Sequence, residues 1–397
     1  MKMTTTKDSC ASKTPTDQPN KILCWGANSY GQLSQGNKDD QLEPIPIADL
    51  QDTNILYITG GGGHSLAITD ENKLLVCGSN SRGQLGLGHT EDVTVLTSLP
   101  ELHNKLINQV VGGWDFTLAV AGQPQGDVLY SWGSNSFNQL GRSSHPNNFS
   151  PIPGIISLPG GTKNVKIKHI TAGLRHCMVL TEQGCVFTWG HGKKGQLGYL
   201  LPDKSAPKSA QQPTKVELPE PIIKIFCGSY YSGAVSEQGN LYVWGCNKYG
   251  QLAHDVTTLT SSSLPIQISS HIFKTGIKQI TSGWTHILVL TDDGNVYSWG
   301  RGDYGQLGRK INGICDFTPS RIENIQQIKY ITCGSEHNLA IDSSGHLLSW
   351  GWNEHGICGT GDELNVYKPS VPNKLIDINV RHIGCGAGHS FGVVEET

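Results

Sequence analysis

A Trp-Gly pair returns along this chain at Trp25-Gly26, Trp132-Gly133, Trp189-Gly190, Trp244-Gly245, Trp299-Gly300 and Trp350-Gly351, with Cys77-Gly78 in the one vacant place, at intervals of 51 to 57 residues. Gly-Gln-Leu follows at Gly31 to Leu33, Gly83 to Leu85, Gly195 to Leu197, Gly250 to Leu252 and Gly305 to Leu307, with eroded copies at Asn138 to Leu140 and Gly356 to Cys358. A third marker, Gly-x-x-His, runs in another phase from Gly61, Gly173, Gly283, Gly334 and Gly386; copies at Gly113 and Gly228 put Phe116 and Tyr231 in the His place. All three markers count seven units. A unit of about 50 residues cannot bury an apolar face alone, so its copies must stack or close on one another.

Within a unit the pattern is β. Tyr57 to Thr59 leads into a glycine turn, Ser65 to Thr69 leaves it, and Leu74 to Val76 climbs to Gly78, each run bounded by Gly or by Asp-Glu-Asn breakers. A fourth run carries proline, as in Glu43 to Ile47, Ser150 to Pro153, Pro265 to Ile268 and Thr318 to Arg321. Proline cannot donate to a ladder, so that run belongs at a sheet edge. The expected fold is all-β: a seven-bladed propeller of four-stranded blades, in which a ring leaves only short edges exposed.

The marker phases also predict how the ring closes. The chain opens on a Trp-Gly strand with no Gly-x-x-His before it and ends on Gly386 to His389 with no Trp-Gly after it. Lys21 to Trp25 should therefore pair with Ser390 to Val394. Residues 1–20, rich in Thr, Lys, Ser, Asp and Pro, read as a disordered tail, and residues 21–395 as one propeller.

A formal net charge of −3, with both signs interspersed and no basic run, argues against direct nucleic-acid binding. No apolar stretch approaches the ~18 residues of a membrane span, so no insertion is expected. The 11 cysteines have no Cys-x-x-Cys spacing, and Cys24, Cys77, Cys227, Cys333 and Cys385 occupy strand or turn slots of the repeat. They read as reduced thiols of the core, which favours an intracellular protein.

No catalytic site, metal or cofactor is expected. His64, His176, His286, His337 and His389 fall once per unit at one turn position, spread around a ring, and read as structural, bonding the turn and packing between blades. Gly60 to Gly63 resembles a phosphate cradle in composition only, because a strand-like run follows it where a cradle needs a helix N-terminus. His-Glu-x-x-His does not occur.

The non-generic chemistry sits in slots the scaffold does not dictate. The turns before the third marker's His give one candidate partner-binding rim: Trp114, Asp115, Arg175, Tyr230, Trp284 and Glu336. The loops after the Trp-Gly strands give an alternative rim: Tyr30, Arg82, Phe137, Lys194, Tyr249, Arg301, Tyr304 and Trp352. Trp, Tyr and Arg are the residues that dominate protein interfaces.

Trp-Gly, then Asn and Gly-Gln-Leu-Gly, alternating with Gly-x-x-His over residues 21–394, resembles the regulator of chromosome condensation family. Strings such as Trp25 to Leu33, Ala172 to His176, Asp303 to Lys310 and Cys333 to Ile341 resemble a secretion-linked branch of it. That resemblance implies guanine nucleotide exchange on a small GTPase, contact with an exocyst subunit, a monomer, and a cytoplasmic and partly nuclear location. Trp114 and Arg175 stand where the family's exchange factor for Ran is expected to carry Asp, and no wedge-like insertion follows Trp132-Gly133. Ran is therefore not the implied GTPase. A protein-interaction scaffold with no exchange activity is the alternative.

Overall fold

A computed structural model describes residues 21–394 apart from 48–49, 51–52, 144–147, 161–164, 269–272 and 274. Among the described residues, strands β1 to β28, numbered in chain order, form seven antiparallel four-stranded sheets. The sheet formed by β3 (Ile55–Gly60), β4 (His64–Thr69), β5 (Leu74–Gly78) and β6 (Val93–Ser98) shows the plan, running from the axis outward in chain order. The expected seven-bladed propeller is the observed one. The expected tail over residues 1–20 lies outside the described residues.

The ring closes by the strand exchange expected from the marker phases. β1 (Lys21–Gly26) lies between β28 (His389–Val394) and β2 (Gln41–Pro46), in a sheet ordered β2-β1-β28-β27 with β27 (Val380–Cys385) innermost. The register runs from Lys21 opposite Val394 to Gly26 opposite His389. Outer strands carry the prolines, among them Pro44 and Pro46 in β2, Pro151 and Pro153 in β10 (Phe149–Ile156) and Pro319 in β22 (Cys315–Arg321).

Seven apolar clusters make the core, each lying between two neighbouring blades. No blade has a core of its own, so stability is shared around the ring. The markers are the fasteners of these junctions. The six Trp side chains are fully buried. Each indole N–H donates to a carbonyl in the preceding blade's loop: Trp132 to Gln84, Trp189 to Gln139, Trp244 to Gln196, Trp299 to Gln251, Trp350 to Gln306 and Trp25 to Ile357, at 2.8 to 3.2 Å. In the blade without Trp, Cys77 Sγ faces Gln32 O at 3.6 Å.

Backbone geometry explains why the pairs need glycine. Gly26, Gly78, Gly133, Gly190, Gly245, Gly300 and Gly351 all have φ between 94° and 114°, which L side chains rarely adopt. The glycine of Gly-Gln-Leu is also left-handed, and the eroded copy there is Asn138, at φ 64°, the residue type that tolerates this region best. The ten described cysteines are free, and burial pushes the thiols of Cys24, Cys77 and Cys227 up to about 12.

Candidate partner-binding face

Each blade sends both its Gly-x-x-His turn, between first and second strands, and its Trp-Gly loop, between third and fourth strands, to the same end of the propeller. The two candidate rims are therefore one face. This corrects the expectation of alternatives: the turns form an inner ring about the axis and the loops an outer ring in contact with it.

Hydrogen bonds run from turn to turn around the inner ring. Ser229 N donates to Trp284 O, Trp284 N to Ser335 O, Ser335 N to Ala387 O and Ala387 N to Gly61 O; Gly62 N donates to Trp114 O and Trp114 N to Leu174 O. Behind this ring the channel narrows to a space of about 100 Å³. Over it, Trp114 and Trp284 meet from blades that are not neighbours, ring centroids 5.4 Å apart and planes at 60°. Sequence spacing had scattered these two residues; the axis gathers them. Gly60 to Gly63 serves this packing and no phosphate: a Cβ on Gly62 would lie 2.7 Å from the Trp114 ring, and one on Gly63 2.8 Å from the Tyr30 ring.

The outer ring has one orienting device. The Gln side chain of Gly-Gln-Leu folds back so that its Oε1 accepts the backbone N–H two residues earlier, at Tyr30, Arg82, Phe137, Lys194, Tyr249 and Tyr304, at 2.8 to 2.9 Å. In three of the five Gly-Gln-Leu copies the residue three before the glycine is Asn, and the Oδ1 of Asn28, Asn80 and Asn247 accepts the Leu N–H at 2.8 to 3.0 Å. A rigid base thus presents variable side chains, the arrangement that limits ordering entropy on binding.

Contacts between the rings make clusters. The Arg175 guanidinium lies 4.4 Å from the Phe137 ring centroid, and Phe137 meets His191 edge-on at 4.9 Å. His191 in turn meets Tyr230 at 5.8 Å. Burial, and then Arg175, Lys193 and Lys194, lower the His191 pKa, so this sector is positive with the imidazole neutral. On the far side Arg301 pairs with Asp303 through two bonds of 2.7 and 3.0 Å and stacks on Tyr249 and Tyr304 at 5.0 and 4.3 Å.

Glu336 departs from the expected exposed role. It is 6% exposed, accepting Thr285 Oγ1 at 2.7 and 2.8 Å and Gln306 Nε2 at 2.7 Å. Burial raises its pKa despite these bonds. Its carboxylate supports the face from beneath. Asp115 is partly buried, its pKa raised by burial and drawn back by Ser134, Arg175 and Arg82. Trp114, Tyr30, Arg82 and Lys194 are exposed; Arg175, Tyr230, Trp284, Phe137, Tyr249, Arg301, Tyr304 and Trp352 are half-buried. Sequence reasoning missed His191, whose signal was its place directly after Trp189-Gly190, where the repeat varies freely.

The five marker histidines lie beneath this face and do not converge. Each Nε2 reaches a side chain in the next blade: His64 to Thr117, His176 to Ser232, His286 to Asn338, His337 to Ser390 and His389 to Ser65, at 2.7 to 3.0 Å. The ring therefore bonds across the blade junction, while the turn is closed by backbone alone, as in Gly61 N to His64 O. Tyr231 makes the equivalent crossing by donating to His286 O at 2.7 Å. Among the described residues no group of three or more His, Cys, Asp or Glu could hold a metal ion.

A seven-bladed ring fastened by Trp-to-loop and His-to-side-chain crossings, with both loop sets on one face, defines the class. The chain belongs to the RCC1-like domain family, whose sequence pattern matches residues 21–392. It is 42% identical over 94% of its length to the secretion-regulating guanine nucleotide exchange factor of Bos taurus, covering 83% of that protein. It is 33% identical over 89% of its length to the ultraviolet-B receptor UVR8 of Arabidopsis thaliana, covering 78% of it. Its fold matches Prp20p of Saccharomyces cerevisiae, a protein studied for binding to Gsp1p and histones, with a TM-score of 0.83 at 24% identity over 96% of this chain and 93% of the other. No helix among the described residues is long and apolar enough to cross a membrane.

Proposed function

We propose that this protein is a guanine nucleotide exchange factor or regulator of a small GTPase, and that the face carrying Trp114, Arg175, Tyr230, Trp284 and the Gln-oriented loop residues receives the GTPase. The observation that carries this reading is the 42% identity, across nearly the whole chain, to a secretion-regulating exchange factor. The face supports it with rigidly based Trp, Tyr and Arg side chains.

Exchange requires no covalent step. A GTPase that holds its nucleotide near picomolar binds it with about −16 kcal/mol, so the factor must compete by preferring the nucleotide-free form. A 10⁵-fold acceleration needs roughly 7 kcal/mol of such preference, within reach of a few interface hot spots. The same reading places the protein in cytoplasm and nucleus, as a monomer, with an exocyst subunit as a further partner.

The test is release of labelled nucleotide from a panel of small GTPases, Ran included, by substoichiometric protein. Exchange on one GTPase other than Ran, lost in Trp114→Ala, Arg175→Ala and Tyr230→Ala variants that remain folded, is the expected result. A second reading, an interaction scaffold, is favoured by the 33% identity to a receptor of this family that is not named for exchange. It predicts binding through the same face with an unchanged nucleotide off-rate.

A further inference from the structure

The end of the propeller away from these loops carries a feature that exchange leaves unused. All seven innermost strands break register at one place, where an extra residue bulges between the first and third positions: Leu56 in β3, Asn108 in β7 (Ile107–Gly112), Lys168 in β11 (Ile167–Ala172), Ile223 in β15 (Ile222–Cys227), Lys278 in β19 (Ile277–Ser282), Lys329 in β23 (Ile328–Cys333) and Arg381 in β27. Four of these bulges are cationic. In β15 the next residue, Lys224, supplies the charge, so five consecutive blades each carry one cation at the start of the innermost strand, beside this mouth of the channel, and Lys168 lines the channel itself.

The mouth opens on a chamber of about 530 Å³ lined by the inner strands, with Tyr57, Gln109, Lys168, His169, Gln279 and Tyr330 on its walls. That volume suits a small ligand. Lys168, Lys278, Lys329 and Arg381 are exposed, and Lys224 lies within electrostatic reach of Lys168: burial first, and Lys168 with it, lower the Lys224 pKa against the pull of Asp292. Lys329 Nζ bonds only a carbonyl, that of Ser343, at 2.5 Å.

Carboxylates of this end lie one step outward, in the turns between second and third strands. Glu182 and Glu237 sit where their N–H groups bond Lys166 O and Pro221 O, just before the inner strands; Asp293 accepts from Thr275 and Thr291; Asp342 accepts the His346 and Ser344 N–H groups. A cationic centre within an acidic collar attracts a compact anion at the axis and repels a long polyanion lying across the face.

We propose that this mouth binds a compact anion carrying several phosphate groups, as a free inositol polyphosphate or as the phosphorylated head of an inositol lipid. The clustered lysines would meet separate phosphates, each through charge-assisted bonds.

The experiment titrates the full chain with inositol hexakisphosphate by calorimetry at physiological salt, and separately with phosphatidylcholine vesicles doped with phosphatidylinositol bisphosphate. The double variant Lys278→Gln, Lys329→Gln removes two cations; Lys193→Gln, Lys194→Gln on the opposite face is the control, and melting curves check folding. Each lost lysine is expected to weaken binding roughly tenfold, so the double variant loses about 100-fold while the control matches the parent. Response to the soluble probe assigns a free ligand, and response to vesicles alone assigns a lipid head. Binding of neither probe, an unaffected double variant, an equally weakened control, or equally tight binding of heparin would each overturn the proposal.

Discussion

The His389 imidazole and the Ser65 hydroxyl, 324 residues apart in sequence, lie 2.9 Å apart across the junction that closes the ring. Ser65 Oγ is also 2.6 Å from Gln32 O. A carbonyl only accepts, so the hydroxyl donates to Gln32 and must receive the Nε2–H of His389. That fixes the neutral tautomer and leaves Nδ1 without a hydrogen bond, as in His64, His176 and His337, while His286 Nδ1 lies 3.8 Å from Glu336 Oε2.

Acid lability follows from this. Burial holds the five histidines neutral, lowering the pKa to about 4 for His64 and His286 and about 3 for His176, His337 and His389. The unfolded chain protonates near 6.5. Folded values below unfolded ones mean that the stabilisation is full above about pH 6.5 and falls as pH drops toward the folded values, by roughly 1.4 kcal/mol per histidine per pH unit. Thermal melting between pH 7.5 and 5.5 should show a steep fall in Tm. His176→Tyr, copying the ring that Tyr231 already places in one blade, should remove one histidine's share of the slope.

Closure should be as sensitive as any core contact. Trp25 Nε1 donates to Ile357 O at 3.0 Å with the ring fully buried. Trp25→Phe keeps most of the packing and removes one of two donors to that carbonyl, which Ser390 Oγ still reaches at 2.9 Å, so the loss should be about 1 kcal/mol. Removing residues 1–26 takes β1 from between β2 and β28 and should abolish the cooperative transition in calorimetry. Retention of a sharp transition at the parental temperature would mean that the terminal pairing contributes little.

Period and phase made the ring, the blade plan and the closing register legible, because each marker answers a local demand that recurs: positive φ at the Trp-Gly glycines, a buried indole donor, a crossing His. Proline marked the outer strands for the same reason. The common face was not legible. Which loops share an end depends on counting strands between markers, and the notion of two rims treated Gly-x-x-His turns and Trp-Gly loops as opposed. Nor could spacing bring Trp114 to Trp284, which meet only because nonadjacent blades share an axis. Glu336 looked like an exposed acid since nothing local signals that Thr285 and Gln306 come from elsewhere to bury it.

Glu336 should therefore act on stability before it acts on any partner. Glu336→Ala leaves Thr285 and Gln306 without their acceptor, a loss of roughly 1 to 3 kcal/mol. Glu336→Gln keeps an acceptor oxygen, and a carboxyl already pushed upward by burial has little charge stabilisation to lose, so its Tm should stay closer to the parent. If chemical denaturation ranks the two variants equally, the bonds to Thr285 and Gln306 carry no weight.

Gly62 offers a way to test the face without deleting any of its side chains. The backbone there needs no glycine by φ, yet a Cβ would fall 2.7 Å from the Trp114 ring and closer still to the Trp114 carbonyl, so Gly62→Ala must displace Trp114 and with it the contact to Trp284. Gly388 is the matched control: it occupies the equivalent turn of the closing blade, and its added Cβ meets only Ala27 at 3.7 Å, an ordinary contact. Gly62→Ala should change intrinsic tryptophan fluorescence and weaken GTPase binding about tenfold or more, as expected for a displaced central aromatic anchor. Gly388→Ala should leave both as they were. Normal binding by Gly62→Ala with altered fluorescence would remove the Trp pair from the interface and move the contact outward to the Gln-oriented loops.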